Sequence, residues 1–163
     1  MNISVKSVDE SSFRKMKATA AELDKSIGES LTEAINMWTS KNKEILDGLE
    51  EIIRTAKNDK EIIAVILFGS YARNEPDFRD IDVALLFKNE NVDYPKKATD
   101  YYSSNIFDIS ILNRLPLNVA SRVLEDGRPL YVSDWPALKE FSIKVIREWE
   151  DFKPLYNMLV QIN

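Results

Sequence analysis

The chain has 163 residues and 44% hydrophobic content, enough for one cored domain, or for one domain plus a small appendage. It holds no Cys and no His, which excludes thiolate and imidazole metal sites, Cys nucleophiles and Ser-His-Asp triads, so any metal must be held by oxygen, the preference of hard cations such as Mg²⁺. A formal net charge of -5 argues against a chain that coats nucleic acid generally, and without a membrane-spanning apolar run or a signal-like N-terminus a cytoplasmic protein is expected.

The first segment is close to charge-balanced. Residues 1–43 carry seven Lys/Arg against six Asp/Glu, and the remainder fifteen against twenty-one. NISVKSV alternates Ile3 and Val5 with Asn2, Ser4 and Lys6, the period of a short half-exposed strand. Asp9 then caps a predicted helix with Phe13, Met16, Ala20 and Leu23 on one face, and Asp24-Lys25 breaks it. Ser26-Ile27-Gly28-Glu29 reads as a capping box for a second helix with Ile27, Leu31, Ala34, Ile35 and Trp38 in line. The hydrophilic Ser40-Lys41-Asn42-Lys43 is expected to be the joint to the larger domain.

Such a unit is too small to stand alone, and its strand has two unpaired edges, so self-association is expected. Residues 2–40 resemble the ribbon-helix-helix family of DNA-binding dimers, which includes many antitoxins. That resemblance implies a homodimer whose paired strands direct Asn2, Ser4 and Lys6 at base edges of operator DNA, with the start of the second helix near a phosphate. A segment that only dimerises or braces the larger domain is the competing reading. Glu29 in the first turn competes with an anion there.

From Glu44 the pattern gives a helix through Ile45, Leu49, Ile52 and Ile53, a strand at 62–68, a Gly69-Ser70 junction and a strand at 81–87. A short helix from Ala98 to Tyr102, a strand at 106–112, a helix from Pro116 to Glu125 stopped by Gly127, a strand at 129–132 and a helix from Pro136 to Glu150 follow. The fold class is α+β, with strands and helices mixed around one sheet.

The chemistry concentrates in FGSYARNEPDFRDID, residues 68–82. Gly-Ser at a strand end lets the backbone approach an anion closely while N–H groups and the Ser hydroxyl donate, and phosphate is the obvious guest; alone, the pair is often just a turn. Asp80 and Asp82, two residues apart in an extended segment, lie on one side roughly 6.6 Å apart, within reach of a shared ion. Two carboxylates about 4 Å apart repel by around 1 kcal/mol in water and about 4 kcal/mol at an effective dielectric near 20, so burying them together calls for a cation. Asp108 interrupts the apolar strand IFDISIL, and an adjacent strand would bring it to the same cluster. Three Asp for one or two Mg²⁺ beside a phosphate cradle are the apparatus of phosphoryl or nucleotidyl transfer.

These residues resemble the nucleotidyltransferase superfamily, whose pattern is Gly-Ser, a short spacer, Asp-x-Asp and a later carboxylate. The run GSYARN and the compact chain look most like the minimal nucleotidyltransferases, including antitoxins of the MNT/HEPN type, over residues 44–150. The resemblance implies a mixed-sheet nucleotidyltransferase domain at 44–163 behind the ribbon-helix-helix-like segment at 1–43. It implies that Gly69 and Ser70 hold the triphosphate of ATP, that Asp80 and Asp82 ligate Mg²⁺, and that Asp108 completes the site and activates the attacking hydroxyl. Arg73 would face phosphate oxygens or brace the loop.

Asn74 replaces a common Gly and Arg79 a common Ser; Asn tolerates the left-handed backbone such a turn needs. The implied reaction moves AMP from ATP to a hydroxyl, by resemblance a tyrosine of a cognate HEPN toxin. The alternatives are a catalytically weak antitoxin and repressor that acts by binding toxin and operator, and a small-molecule nucleotidyltransferase.

Overall fold

A computed structural model describes residues 8–75, 78–89, 93–101 and 104–160. The chain divides into two compact units, residues 1–44 and 45–163. The expected N-terminal strand, with Asn2, Ser4 and Lys6, lies outside the described residues. Among the described residues no helix is long and apolar enough to cross a membrane.

In the first unit, α1 (Glu10–Glu22) starts where Asp9 accepts from the Ser12 N–H at 2.8 Å. Hydrogen bonds from Ser12 and Ser11 hold the Asp9 carboxyl at about 2. Asp24 turns the chain at φ 52°, and Lys25 pairs with Glu33 at 2.7 Å. The capping box forms reciprocally: the Glu29 N–H donates to Ser26 Oγ at 3.2 Å, and the Ser26 N–H to Glu29 Oε2 at 2.9 Å.

The second helix, α2, differs from expectation because it runs unbroken over Ile27–Asn58. Ser40 to Lys43 contain neither Gly nor Pro. Beside them Thr39 Oγ1 and Asn42 Nδ2 donate back to the carbonyls of Ile35 and Trp38, at 2.8 and 2.7 Å, so local polar side chains fold onto the helix instead of ending it.

The second unit is a four-stranded mixed sheet in the order β3-β2-β1-β4, formed by β1 (Ile62–Phe68), β2 (Ile81–Phe87), β3 (Phe107–Ile111) and β4 (Arg128–Val132). β1 pairs antiparallel with β2 and β4, and β2 pairs parallel with β3. The run IIAVILF is buried on both sides, as a central strand requires. Val65 and Leu67 of β1, with Ile81, Val83, Leu85 and Phe87 of β2, pack on Ile45, Ile52 and Ala56 of α2. Ile66, Ala84 and Leu86 face the opposite layer, with Ala120 and Val123 of α5 (Leu117–Asp126) and Leu138 and Val145 of α6 (Trp135–Val160). The register shift between Ile62 and Ala64 sends Ile63 and Ala64 to that same side, the consequence of a bulge.

Three further bounds differ from the sequence reading. α4 spans Tyr94–Asp100, starting before Ala98 because Asp93 caps it, accepting from the Lys96 N–H, and Pro95 suits its first turn. β3 ends at Ile111 in a single 3-10 turn, where the Asn113 amide takes over strand pairing: it accepts from the Phe87 N–H and donates to the Phe87 carbonyl, both at 3.0 Å. α6 continues to Val160 through Pro154. Trp149 stacks edge-on with Tyr156 at 5.4 Å, and Phe152 lies 6.3 Å from Tyr156, so aromatic contacts one and two turns apart carry the helix beyond Glu150.

Candidate active site

Where β1 ends, the backbone turns at Gly69 (φ 74°) into α3 (Gly69–Ala72), and two facts require glycine there. The left-handed backbone disfavours any side chain. A Cβ at residue 69 would also lie 1.9 Å from Asp82 Oδ2 and 2.7 Å from its Cγ. The space beside Gly69 therefore belongs to the Asp82 carboxylate, delivered by the pairing of Phe68 with Asp82.

α3 closes through the Arg73 N–H on the Gly69 carbonyl at 3.3 Å and the Glu75 N–H on the Ser70 carbonyl at 3.0 Å. Asn74 takes the left-handed conformation at φ 59°, the turn that its replacement of glycine left in question. From β4, Arg128 Nη2 donates to the Ala72 carbonyl at 2.9 Å, and Tyr71 meets Phe78 edge-on at 4.9 Å. These contacts hold the C-terminal half of the short helix.

Asp82 sits on the sheet face that also carries Ala84 and Leu86, directly opposite Asp108 across the parallel β2-β3 pair. Neighbouring strands lie about 4.8 Å apart, so the two carboxylates are neighbours. Asp80 lies in the bend just before β2, rather than within the strand. Burial, then the charges of Asp108 and Asp80, raise the Asp82 pKa above its ordinary 3.8, and Arg73 opposes them. Asp82 therefore lies within electrostatic reach of both other acids. Among the described residues, no three acidic side chains converge on a single ion-binding point.

A cleft of about 340 Å³ opens at this junction, walled by Phe68, Gly69, Ser70, Arg73 and Asp82 on one side and by Val119, Arg122 and Asp126 of α5 on the other. Arg73 Nε donates to Glu75 Oε1 at 2.7 Å, so it braces the turn while lining the cleft. The α5 wall was not foreseen. Val119, Arg122 and Asp126 recur at helical spacing without any motif, and only tertiary packing brings them beside Gly69.

A cleft lined by Gly69, Ser70, two arginines and the Asp82 carboxylate, with Asp108 beside Asp82 on the next strand although Asp80 and Asp108 do not line the cleft, suits transfer of a nucleotidyl group. The family profile described as polymerase beta, nucleotidyltransferase matches residues 50–135, just over half of the chain, and the chain belongs to that nucleotidyltransferase family.

Its fold is similar to solved toxin–antitoxin structures. A chain of the toxin–antitoxin crystal structure with AMP-PNP aligns at a TM-score of 0.55 and 19% identity, covering 69% of this chain and 95% of that one. A chain from the tri-AMPylated Shewanella oneidensis HEPN toxin in complex with MNT antitoxin aligns at 0.55 and 20%, covering 72% and 96%. The MntA-HepT toxin–antitoxin gives 0.54 and 17%, covering 70% and 94%. No curated protein sequence matches the chain.

Proposed function

We propose that this protein is the antitoxin of a toxin–antitoxin pair and silences a HEPN-type toxin by moving AMP from ATP to a tyrosine hydroxyl of it. The observation that carries the reading is the Asp82 carboxylate seated in the space of the missing Gly69 side chain, opposite Asp108, at the base of a cleft rimmed by Ser70 and Arg73. The likeness to a toxin–antitoxin structure with AMP-PNP and to an AMPylated HEPN toxin in complex with its antitoxin supports the choice of donor and acceptor.

In this reading Gly69 and Ser70 hold the triphosphate. The acceptor oxygen bonds to the α-phosphorus, the bridging bond to the β-phosphate breaks, and pyrophosphate leaves. Asp108, exposed on the outermost strand, takes the hydroxyl proton from an acceptor that approaches from outside. Asp82 and Asp108, paired on adjacent strands, offer oxygen donors of the kind Mg²⁺ takes, while Asp80 stands in the bend before β2; burial first and then the charges of Asp108 and Asp80 raise the Asp82 pKa, and a cation would offset those charges. Bound there, the ion would neutralise the carboxylates and polarise the phosphoryl oxygens.

Incubation with Mg²⁺, ATP labelled at the α-phosphate and the product of the adjacent gene is expected to label that protein. Asp80→Ala and Asp82→Ala should abolish the label. A tight complex without label under all conditions would instead favour an antitoxin that acts by binding.

The first unit supports a second element of the proposal, a homodimer. Its exposed apolar residues include Phe13 on α1 and Ile27, Leu31, Ile35 and Trp38 at helical spacing on α2, and a second copy would cover them. Paired N-terminal segments would then present Asn2, Ser4 and Lys6 to operator DNA. Ile35→Asp with Trp38→Asp should give a monomer by sedimentation, and a salt-dependent mobility shift on the upstream region should disappear with it.

A further inference from the structure

Two guanidinium groups face the cleft, and they are not equivalent. Arg73 is committed: Glu75 holds its Nε at 2.7 Å, and Asp126 and Asp82 add further attraction. Arg122, on the opposite wall, is exposed and makes no ion pair or hydrogen bond among the described residues. Asp126 lies one helical turn beyond it on α5, yet the two form no pair; Arg placed N-terminal to Asp is the weaker order for such pairs.

α5 has little freedom to turn this face elsewhere. Ala120 and Val123 pack in the layer against the sheet and Ser121 is buried, which leaves Val119, Arg122 and Asp126 toward the cleft. Gly127 then locks the end of the helix, since a Cβ there would lie 2.2 Å from the Val123 carbonyl oxygen and 2.6 Å from Ile66 Cγ2. Arg122 thus stands on a fixed wall with its planar donor fork unspent, across from Gly69 and Ser70. Asp126 on the α5 wall would repel a polyphosphate, and Arg122 is the cation on that wall that offsets it.

We infer that Arg122 grips the outer phosphates of the nucleotide, and hence the departing pyrophosphate, while Arg73 serves as the brace of the turn. The inference rests on the reading of ATP as donor. It assigns recognition of a nucleoside triphosphate over a monophosphate to a residue outside the Gly-Ser and Asp-x-Asp motifs. A bidentate fork on phosphate oxygens also predicts that lysine, a point charge, restores only part of the effect.

The test is calorimetric titration of the full-length protein with ATP and with AMP, each with Mg²⁺, together with KM for ATP in the labelling reaction. Wild type should bind ATP more tightly than AMP. Arg122→Ala should lower that ratio and raise KM for ATP by about tenfold each, the scale of one lost charge-assisted contact, and Arg122→Lys should recover part of both. Urea midpoints equal to wild type, expected for an exposed position, show that the variants are folded; should Arg122→Ala unfold, Arg122→Gln carries the same comparison. An unchanged ATP-to-AMP ratio, in a background where Asp82→Asn still abolishes labelling, overturns the role of Arg122 and leaves the transferase reading standing. A wild-type protein that binds ATP no better than AMP overturns both.

Discussion

Asp82 and Gly69 share one volume: the carboxylate oxygen of the first stands 1.9 Å from where a β-carbon of the second would be. A methyl group at 69 therefore meets both a steric overlap and a left-handed backbone at φ 74°. Gly69→Ala is expected to abolish transfer and to lower stability by about 1–3 kcal/mol, measured by urea denaturation. In the double variant with Asp82→Ala the overlap with the carboxylate is gone and only a tight 3.1 Å contact with the residue-82 Cβ remains, so about 1 kcal/mol of backbone cost should persist while activity stays absent. Equal destabilisation in the single and double variants would show that the two residues do not compete for that space.

The charge on Asp82 works against folding in the absence of a cation. Burial first, then Asp108 and Asp80, raise its pKa above 3.8, so the folded state keeps the proton to higher pH than the unfolded chain does. Stability from this group is present at low pH and is lost as pH rises through the folded value. Asp82→Asn should raise Tm at pH 7 without divalent ions and bring no gain at pH 3. Added Mg²⁺ should raise Tm of the wild type more than that of the variant. A gain of the same size at both pH values would disprove the coupling.

Asn74 carries the turn that ends α3 at φ 59°. Glycine suits that backbone better, so Asn74→Gly should keep activity and match or slightly exceed wild-type stability. Asn74→Val, with a branched β-carbon, should cost on the order of 1–2 kcal/mol, read from thermal melts.

At the far end of the sheet Lys97 Nζ pairs with Asp59 at 2.5 Å, and the Tyr101 hydroxyl adds a bond at 3.3 Å. Burial alone would raise the Asp59 pKa, but Lys97, the Glu61 N–H and Tyr101 outweigh it and hold it below 3.8. The pair's stability is therefore present above pH 3.8 and lost as pH falls through the lower folded value. Its side chains are only 24% and 11% exposed, so Lys97→Met should cost about 1–3 kcal/mol at pH 7 by leaving Asp59 without its cation. The cost should shrink toward pH 2. Labelling activity should survive, since this clamp lies at the opposite end of β2 from Asp82.

Local signals carried the parts of this fold that depend on neighbours in sequence. The Asp9 cap, the Ser26–Glu29 box, both central strands and the stop at Gly127 could be read from spacing because each is decided within a few residues. Helix ends governed by weaker signals moved, as at Ser40–Lys43 and beyond Glu150, where side chains folded back on the helix or stacked along it. The pairing of Asp82 with Asp108 was legible as chemistry, because a carboxylate in an apolar strand is anomalous. Its register was not. Arg122 and Arg128 were invisible, since an arginine on a helix face or strand end has no sequence signature until packing decides what it meets.

The sheet ends in two short borders, five residues each, and neither is a good template for a foreign strand. On one side Pro129 withholds a donor; on the other the exposed Asp108 sets a charge between Phe107 and Ile109. The acid assigned to chemistry is thus also a charge on an open strand, which disfavours edge-to-edge pairing. An inactive variant that keeps a charge on this edge, Asp108→Lys, is therefore expected to stay more soluble than Asp108→Asn, measured by light scattering at matched concentration.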